Sequence, residues 1–142
     1  MDTASSRPLQ RKVLIVEDNE LNRKLLEVRL ELHGYEALTT SEGAAALDIA
    51  REQQPDLILR DIQLPDISGI EAIRRLKADE QTRAIPIIAV TAFAMSTEKA
   101  LILASGCEAY ITKPFRGEEL AAMMERYTHR GAPKARGLTE RV

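Results

Sequence analysis

The chain has 142 residues, which is enough for one ordinary domain with a hydrophobic core and leaves little room for a second. Its 20 Lys and Arg against 22 Asp and Glu give a net charge of -2, which argues against nucleic acid or an anionic membrane as the main partner. The single cysteine, Cys107, excludes an intramolecular disulfide, and no apolar run has the length of a membrane span or the position of a signal peptide. We therefore expect a cytoplasmic protein without membrane insertion.

The two ends of the chain differ from its middle. Residues 1–11 are polar and contain a proline, and residues 128–142 are basic and lack apolar periodicity. Both are expected to be flexible tails. One folded domain is predicted over residues 12–127.

Five short apolar runs within this domain are candidate strands. In chain order they are KVLIVE, YEALTT, DLILRD, IPIIAVT and EAYITK. The continuous apolar character of three of them is typical of strands that are covered on both faces.

The segments between these runs have helical spacing. The first predicted helix follows Asn19 and ends before Gly34 as a C-cap, with an apolar face and two neighbours beside it. That face consists of Leu21, Leu25, Val28 and Leu32, and its neighbours are Leu26 and Leu30.

Four more helices are predicted. Ser41 would cap the second, from Glu42 to about Gln53, and Ser68 with Glu71 has capping-box spacing for the third. Gly106 would close the fourth. The fifth has an apolar face formed by Leu120, Met123, Met124 and Tyr127.

Strands that alternate with helices indicate parallel pairing through right-handed crossovers, with helices on both faces of the sheet. The predicted fold class is therefore α/β, a doubly wound parallel sheet of five βα units. In such sheets ligands bind beyond the carboxyl ends of the strands. That edge would gather Glu17 and Asp18 after the first strand, Asp61 after the third, Thr91 after the fourth and Lys113 after the fifth.

Three carboxylates at one edge repel one another unless a cation compensates them. Such an oxygen-rich site suits Mg²⁺, and Lys113 would supply a second, fixed positive charge. A carboxylate beside two cations can attack a phosphoryl group to give an aspartyl phosphate, for which Asp61 is the candidate. Taken alone, Glu17 and Asp18 could instead cap the first helix, and Thr91 could be an ordinary strand residue.

Four segments, VLIVEDN, DLILRDIQLPDISG, IIAVTA and EAYITKPF, resemble the signature segments of the response-regulator receiver family, in the same order. The resemblance covers residues 12–127 and implies the flavodoxin-like strand order 2-1-3-4-5. It implies that Asp61 is the phosphoacceptor and that Lys113 is the lysine of the family's site, followed by a cis peptide bond to Pro114.

The resemblance also implies the metal ligands and the switch. Mg²⁺ would be held by Glu17, Asp18, Asp61 and the backbone carbonyl of Gln63. Thr91 and Tyr110 would form the switch pair that responds to phosphorylation.

The partners implied by the resemblance are proteins. A histidine kinase or a histidine phosphotransfer protein would donate the phosphoryl group. A kinase-like or adaptor protein would bind the face of the fourth helix, fifth strand and fifth helix, around Ala100, Ile102, Leu103 and Tyr110. The chain would be a monomer or weak dimer whose only catalytic activities are self-phosphotransfer and autodephosphorylation.

Within this family, the segments EDNELN, DIQLPDISG, VTAFAM and GCEAYI resemble those of single-domain regulators of bacterial cell division. Only a short segment follows Tyr127, so a stand-alone receiver that signals by protein contact is expected. An aspartate-nucleophile phosphatase of the haloacid-dehalogenase type would need a second Asp at position 63, where this chain has Gln63. A nucleotide-binding enzyme would need a Gly-rich phosphate loop, and neither GxGxxG nor GxxxxGK occurs.

Arg60 departs from the family pattern, in which the residue before the phosphoacceptor is usually apolar or small. Strand alternation turns it away from the site, and a guanidinium cannot lose its charge there. We expect its side chain to extend to solvent at the sheet edge, with a contact near Glu17 or Glu20 as the alternative. Arg60 also leaves open a receiver-like scaffold that works without phosphorylation.

Overall fold

A computed structural model describes residues 11–62, 69–92 and 96–128, and strands and helices alternate along these ranges. The strands are β1 (Lys12–Val16), β2 (Glu36–Thr40), β3 (Leu57–Asp61), β4 (Ile87–Thr91) and β5 (Ala109–Thr112). The helices are α1 (Glu20–Leu32), α2 (Ala46–Gln53), α3 (Gly69–Ala78), α4 (Ser96–Ala104) and α5 (Gly117–Thr128). The predicted tails lie almost wholly outside the described residues.

The strands form one parallel sheet in the order β2-β1-β3-β4-β5. This confirms the predicted doubly wound fold and its strand order. The order reverses between β1 and β3, so the crevice that binds ligands in such sheets lies where these two strands end. No helix in the described ranges is long and apolar enough to cross a membrane.

Alternate side chains of the strands enter two hydrophobic clusters, one on each face of the sheet. On the α1/α5 face, Ile15 and Leu59 pack with residues of those two helices, which are Leu26, Leu30, Leu120 and Met124. On the α2–α4 face, Leu14 and Ile58 pack with residues of the other three helices, which are Ala46, Ala50, Ile73, Leu76 and Ile102. Because helices cover both faces, β3 and β4 are buried along their whole length.

Helix α1 begins and ends where the sequence predicts. Asn19 is its N-cap and accepts a hydrogen bond from the Asn22 amide at 2.8 Å, so Glu17 and Asp18 are not the cap. Gly34, with φ of 89°, follows the helix and ends it.

The apolar face of α1 does not pack on the sheet. The residues of α1 that pack on the sheet are Leu26 and Leu30, with 9% and 1% of their surfaces exposed. The four residues predicted as one face form an exposed row, here called the α1 stripe: Leu21 at 66%, Leu25 at 54%, Val28 at 54% and Leu32 at 80% exposure. The α1 stripe is therefore available to a partner.

The start of α2 differs from the prediction. A 3₁₀ turn over Gly43–Ala45 precedes the helix, and Glu42, the residue before the turn, makes no side-chain capping bond. Ser41 therefore does not cap this helix, contrary to the prediction. The Glu42 amide bonds instead to the Thr40 hydroxyl at 3.2 Å. The predicted cap of the third helix at Ser68 lies outside the described residues, whereas Gly106, with φ of 105°, closes α4 as predicted.

Arg60 is completely buried, with 0% of its surface exposed, so the expectation that it reaches solvent is wrong. It lies on β3 between Val16 and Ala89 of the neighbouring strands, on the α2–α4 face. Because β3 is the central strand and helices cover both faces, no solvent-exposed sheet edge is within reach. Alternation also directs Arg60 away from Glu17, which follows β1 on the other face.

One of the residues predicted to form the output face is not accessible to a partner. Ile102 is buried at 0% exposure and belongs to the core, so it cannot contact a partner. Leu101 and Leu103, on either side of it, are 51% and 52% exposed. They are the large apolar side chains that α4 presents to solvent in the described part of the chain.

Candidate metal and phosphoryl site

Three carboxylates meet at the carboxyl edge of the sheet, as the sequence predicts. Glu17 and Asp18 follow β1, and Asp61 is the last residue of β3. One oxygen from each lies within 4.8 Å of the other two. Glu17 and Asp61 are buried, at 2% and 5% exposure, whereas Asp18 is exposed and gives the cluster access to solvent.

The turn between β1 and α1 holds the acidic pair in place. The Glu17 amide donates to the Thr40 carbonyl at 3.1 Å, and the Glu17 carboxylate accepts a bond from the Asn19 amide at 3.1 Å. Arg23 reaches back from α1 and donates to the carbonyls of Glu17 at 3.0 Å and Asp18 at 3.5 Å. Sequence reasoning missed Arg23, whose only signal is its position one turn after the helix start.

Lys113 completes the charged cluster. Its Nζ lies 3.0 Å from Asp61 Oδ2 and 3.4 Å from Glu17 Oε1. Its amide donates to the Thr91 carbonyl at 2.8 Å, which fixes the segment after β5 to the end of β4. The peptide bond from Lys113 to Pro114 is cis, as the family resemblance implies.

The protonation of the cluster follows from burial and from its charges. Burial raises the pKa of Glu17, and the neighbouring Asp61 carboxylate raises it further, against the Asn19 amide and Lys113. Burial alone would lower the pKa of Lys113, but its hydrogen bond and attraction to Asp61, with the attraction to Glu17, outweigh burial and raise it. Lys113 therefore stays protonated, and the buried carboxylates favour the binding of an additional cation.

The donor set fits a hard divalent cation. The three carboxylates carry three negative charges and Lys113 one positive charge, which leaves a net charge of two negative units. Carboxylate oxygens are the ligands that Mg²⁺ prefers, and it commonly uses one or two of them. Glu17, Asp18 and Asp61 could hold such an ion, whereas Gln63, the fourth predicted ligand, lies outside the described residues.

Thr91 and Tyr110 lie on the same face of the sheet. Ala89 pairs with Tyr110 and Thr91 with Thr112 across β4 and β5, so Thr91 and Tyr110 are diagonal neighbours on the α2–α4 face. Thr91 is fully buried, and Tyr110 is half-buried against the cluster of that face. A change in the position or bonding of the Thr91 hydroxyl would thus occur next to the Tyr110 ring, which has access to solvent.

Known proteins are similar in sequence to this chain. The family model of the response regulator receiver domain matches residues 13–125. The polar-differentiation response regulator DivK of Brucella ovis is 57% identical over 106 residues, which are 75% of this chain and 86% of that protein. The regulator of the same name from Brucella anthropi is 56% identical over 106 residues.

Solved structures share the fold. The receiver domain of the sensor histidine kinase PA1611 from Pseudomonas aeruginosa PAO1, with a magnesium ion coordinated in its active site cleft, has a TM-score of 0.78 and 35% identity. The match covers 84% of this chain and 98% of that domain. The chemotaxis response regulator CheY4 of Vibrio cholerae has a TM-score of 0.78 and 29% identity, covering 83% of this chain and 98% of CheY4.

Proposed function

Since the chain belongs to the response regulator receiver family, we propose that it is a protein switch in which Asp61 accepts a phosphoryl group from a phosphohistidine. One observation carries the assignment: Asp61, almost fully buried at the end of the central strand, has Lys113 Nζ at 3.0 Å and two further carboxylates within 4.8 Å. Buried charges are costly unless they are used or compensated, so such a concentration of carboxylates supports a functional role for the cluster.

The chemistry uses groups that already touch one another. A carboxylate oxygen of Asp61 attacks the phosphorus, an oxygen–phosphorus bond forms, and the nitrogen–phosphorus bond to the donor histidine breaks. Lys113 is close enough to transfer its contact from Asp61 to an oxygen of the phosphoryl group. The electron pair of the broken bond stays on the histidine, which leaves as a neutral imidazole because its other ring nitrogen carries a proton in the reacting phosphohistidine.

Mg²⁺ is the proposed cofactor, held by Glu17, Asp18, Asp61 and the backbone carbonyl of Gln63. When bound, it would neutralise the carboxylates and the charge on the phosphoryl oxygens. Support comes from the net negative charge of the cluster and from the magnesium ion in the cleft of the PA1611 receiver domain.

The α1 stripe is the proposed docking surface for the phosphodonor. Its residues recur at intervals of four, three and four along α1, which is the spacing of helix-to-helix packing, and they span roughly 16 Å at 1.5 Å per residue. Leu25 also lines a cavity together with Glu17 and Lys113, so the stripe adjoins the site. A helical partner with an apolar face, such as a histidine kinase or a histidine phosphotransfer protein, fits this surface.

Phosphorylation would be read on a second surface. We assign Thr91 the role of bonding the phosphoryl group, so that its hydroxyl moves inward and Tyr110 turns into the vacated space. A kinase-like or adaptor protein would recognise the result through Tyr110, Leu101 and Leu103, and shift the equilibrium by its preference for one state. Similarity to DivK supports a cytoplasmic role in cell-division control, without enzymatic activity beyond self-phosphotransfer and autodephosphorylation.

A labelling experiment tests the proposal. Incubation with a small phosphodonor should give a phosphoprotein only when Mg²⁺ is present. Asp61→Asn should abolish labelling, whereas Asp48→Asn, at an exposed site on α2, should not change it. Full labelling of Asp61→Asn would refute the assignment, and absence of any labelling of the wild type would favour a scaffold that works without phosphorylation.

A further inference from the structure

A cavity of about 520 Å³ lies between α1 and the segment that follows β5. Its walls are mostly apolar and include Leu26, Val90 and Phe115. A space of this size is typical of binding sites for small molecules, which combine apolar walls with a few polar groups. A single side chain of a docked protein, whether acidic or apolar, would fill only part of this cavity.

The two ends of the cavity differ in charge. At the inner end, Glu17 and Lys113 contact each other, and Lys113 also pairs with Asp61, so this end already contains paired charges and an excess of carboxylate. At the outer end lies Arg29, a half-buried residue of α1. In the Mg²⁺-free protein an anion would therefore be repelled at the inner end and attracted at the outer end.

The Arg29 guanidinium is available to a ligand. Within the described residues its side chain makes no ion pair, even with Glu118 and Glu119, the exposed acids of the first turn of α5. A guanidinium keeps its charge at any physiological pH and forms forked hydrogen bonds with carboxylates. A half-buried cation without an acid partner is thus suited to an anionic group.

Gly117 is what allows Arg29 to lie there. A side-chain carbon at position 117 would come within 2.6 Å of the Arg29 Nη1 atom, so only glycine accommodates this placement of the guanidinium. Gly117 is also the first residue of α5, and the start of a helix carries partial positive charge. Both features increase the attraction for an anion at the outer end.

We propose that this cavity binds a small organic acid with an apolar body. Its carboxylate is held by Arg29 at the start of α5, and its body lies between Leu26, Val90 and Phe115. In the Mg²⁺-free protein the inner carboxylates disfavour the reverse orientation. Because the cavity also includes Leu25 of the α1 stripe, a bound acid and a helical phosphodonor compete, a consequence that rests on the proposed function.

The test is a titration of the full chain, unphosphorylated and without Mg²⁺, monitored by the amide signals in NMR spectra. The probes are 3-phenylpropionate and the uncharged 3-phenylpropionamide, which have the same body and differ in charge. The acid should shift the amides of residues 25–29 and 115–117 and bind about tenfold more tightly than the amide, as a charge-assisted hydrogen bond allows.

Two variants locate the charge recognition. Arg29→Gln should bring the affinity for the acid down to that for the amide, and Gly117→Ala should reduce the difference by displacing the guanidinium. Lys24→Gln, an exposed cation on the same helix and outside the cavity, should keep the full preference. The dispersion of each spectrum shows whether the variant is folded.

Equal binding of acid and amide to the wild type would overturn the proposal. Shifts that extend along the α1 stripe to Leu21 and Leu32 would also overturn it, because they would show adsorption to an apolar surface or a site for a protein side chain. A lack of binding at about 10 mM, well above the range in which small-fragment sites operate, would overturn it as well. Because no step involves phosphorylation, these outcomes are independent of whether Asp61 accepts a phosphoryl group.

Discussion

Leu25→Ala tests the α1 stripe as the phosphodonor surface. With 54% of its surface exposed, Leu25 buries roughly half of its surface against the rest of the chain, and the other half is free to contact a partner. The variant should stay folded, because alanine is the best helix former and the side chain is not part of either core cluster.

The magnitude follows from the exposed fraction. Burying a whole leucine side chain contributes about 1.5–3 kcal/mol, so the exposed half leaves roughly 0.8–1.6 kcal/mol to be gained from a partner. Since 1.4 kcal/mol corresponds to a factor of ten, Leu25→Ala should lower kcat/KM for phosphotransfer from a phosphorylated phosphotransfer protein about tenfold.

The assay compares two donors and two variants. Transfer from the protein donor should slow in Leu25→Ala, while labelling by a small phosphodonor should be unchanged, because a small donor needs no docking surface. Leu101→Ala on α4, where 51% of the side chain is exposed, is the matched control and should leave both rates intact. Equal losses in Leu25→Ala and Leu101→Ala, or an unchanged protein-donor rate in Leu25→Ala, would refute the docking argument.

Three further predictions concern the site and the sheet. Thr91→Ala should still be labelled at Asp61 but lose phosphorylation-dependent binding of the output partner; pull-down by that partner that still tracks labelling would contradict the switch. Glu17→Gln should make the Mg²⁺-free protein more stable to urea at pH 8, because the raised pKa of Glu17 means that folding disfavours its charged form. The stability advantage of the variant should disappear below the ordinary glutamate pKa of 4.5, where Glu17 is uncharged in both the folded and the unfolded state. An advantage that persists at that pH would argue against the charge as its cause. Arg60→Met should be labelled within about twofold of the wild-type rate, because the side chain lies on the face opposite Asp61; a large loss of labelling would show that Arg60 acts on the site.

The sheet and the position of the site could be predicted from the sequence because both follow from strong local patterns. Apolar runs such as those of β3 and β4 permit little besides buried strands. Once strands alternate with helices, polar residues at the strand ends must meet at one edge, as Glu17, Asp61 and Lys113 do.

The orientation of α1 could not be predicted, because the helix carries leucine on two adjacent rows. Periodicity shows that both rows exist, but only packing decides that Leu26 and Leu30 cover the sheet while Leu21 and Leu25 stay exposed.

The burial of Arg60 could not be predicted from the sequence pattern either. Whether a long side chain reaches solvent depends on the helices above it and the position of its strand in the sheet, not on neighbouring residues in the sequence. For the same reason Arg23 was missed, since its bonds to the carbonyls of Glu17 and Asp18 arise only when the turn before α1 is formed.

The most direct test of the central claim is to identify the phosphorylated residue. The protein is labelled with a small phosphodonor and Mg²⁺, and borohydride reduces the acyl phosphate to an alcohol that mass spectrometry can locate. The account predicts homoserine at position 61 in the Mg²⁺-treated sample and none without Mg²⁺. Reduction at Glu17 or Asp18, or at a residue outside the cluster, would contradict it.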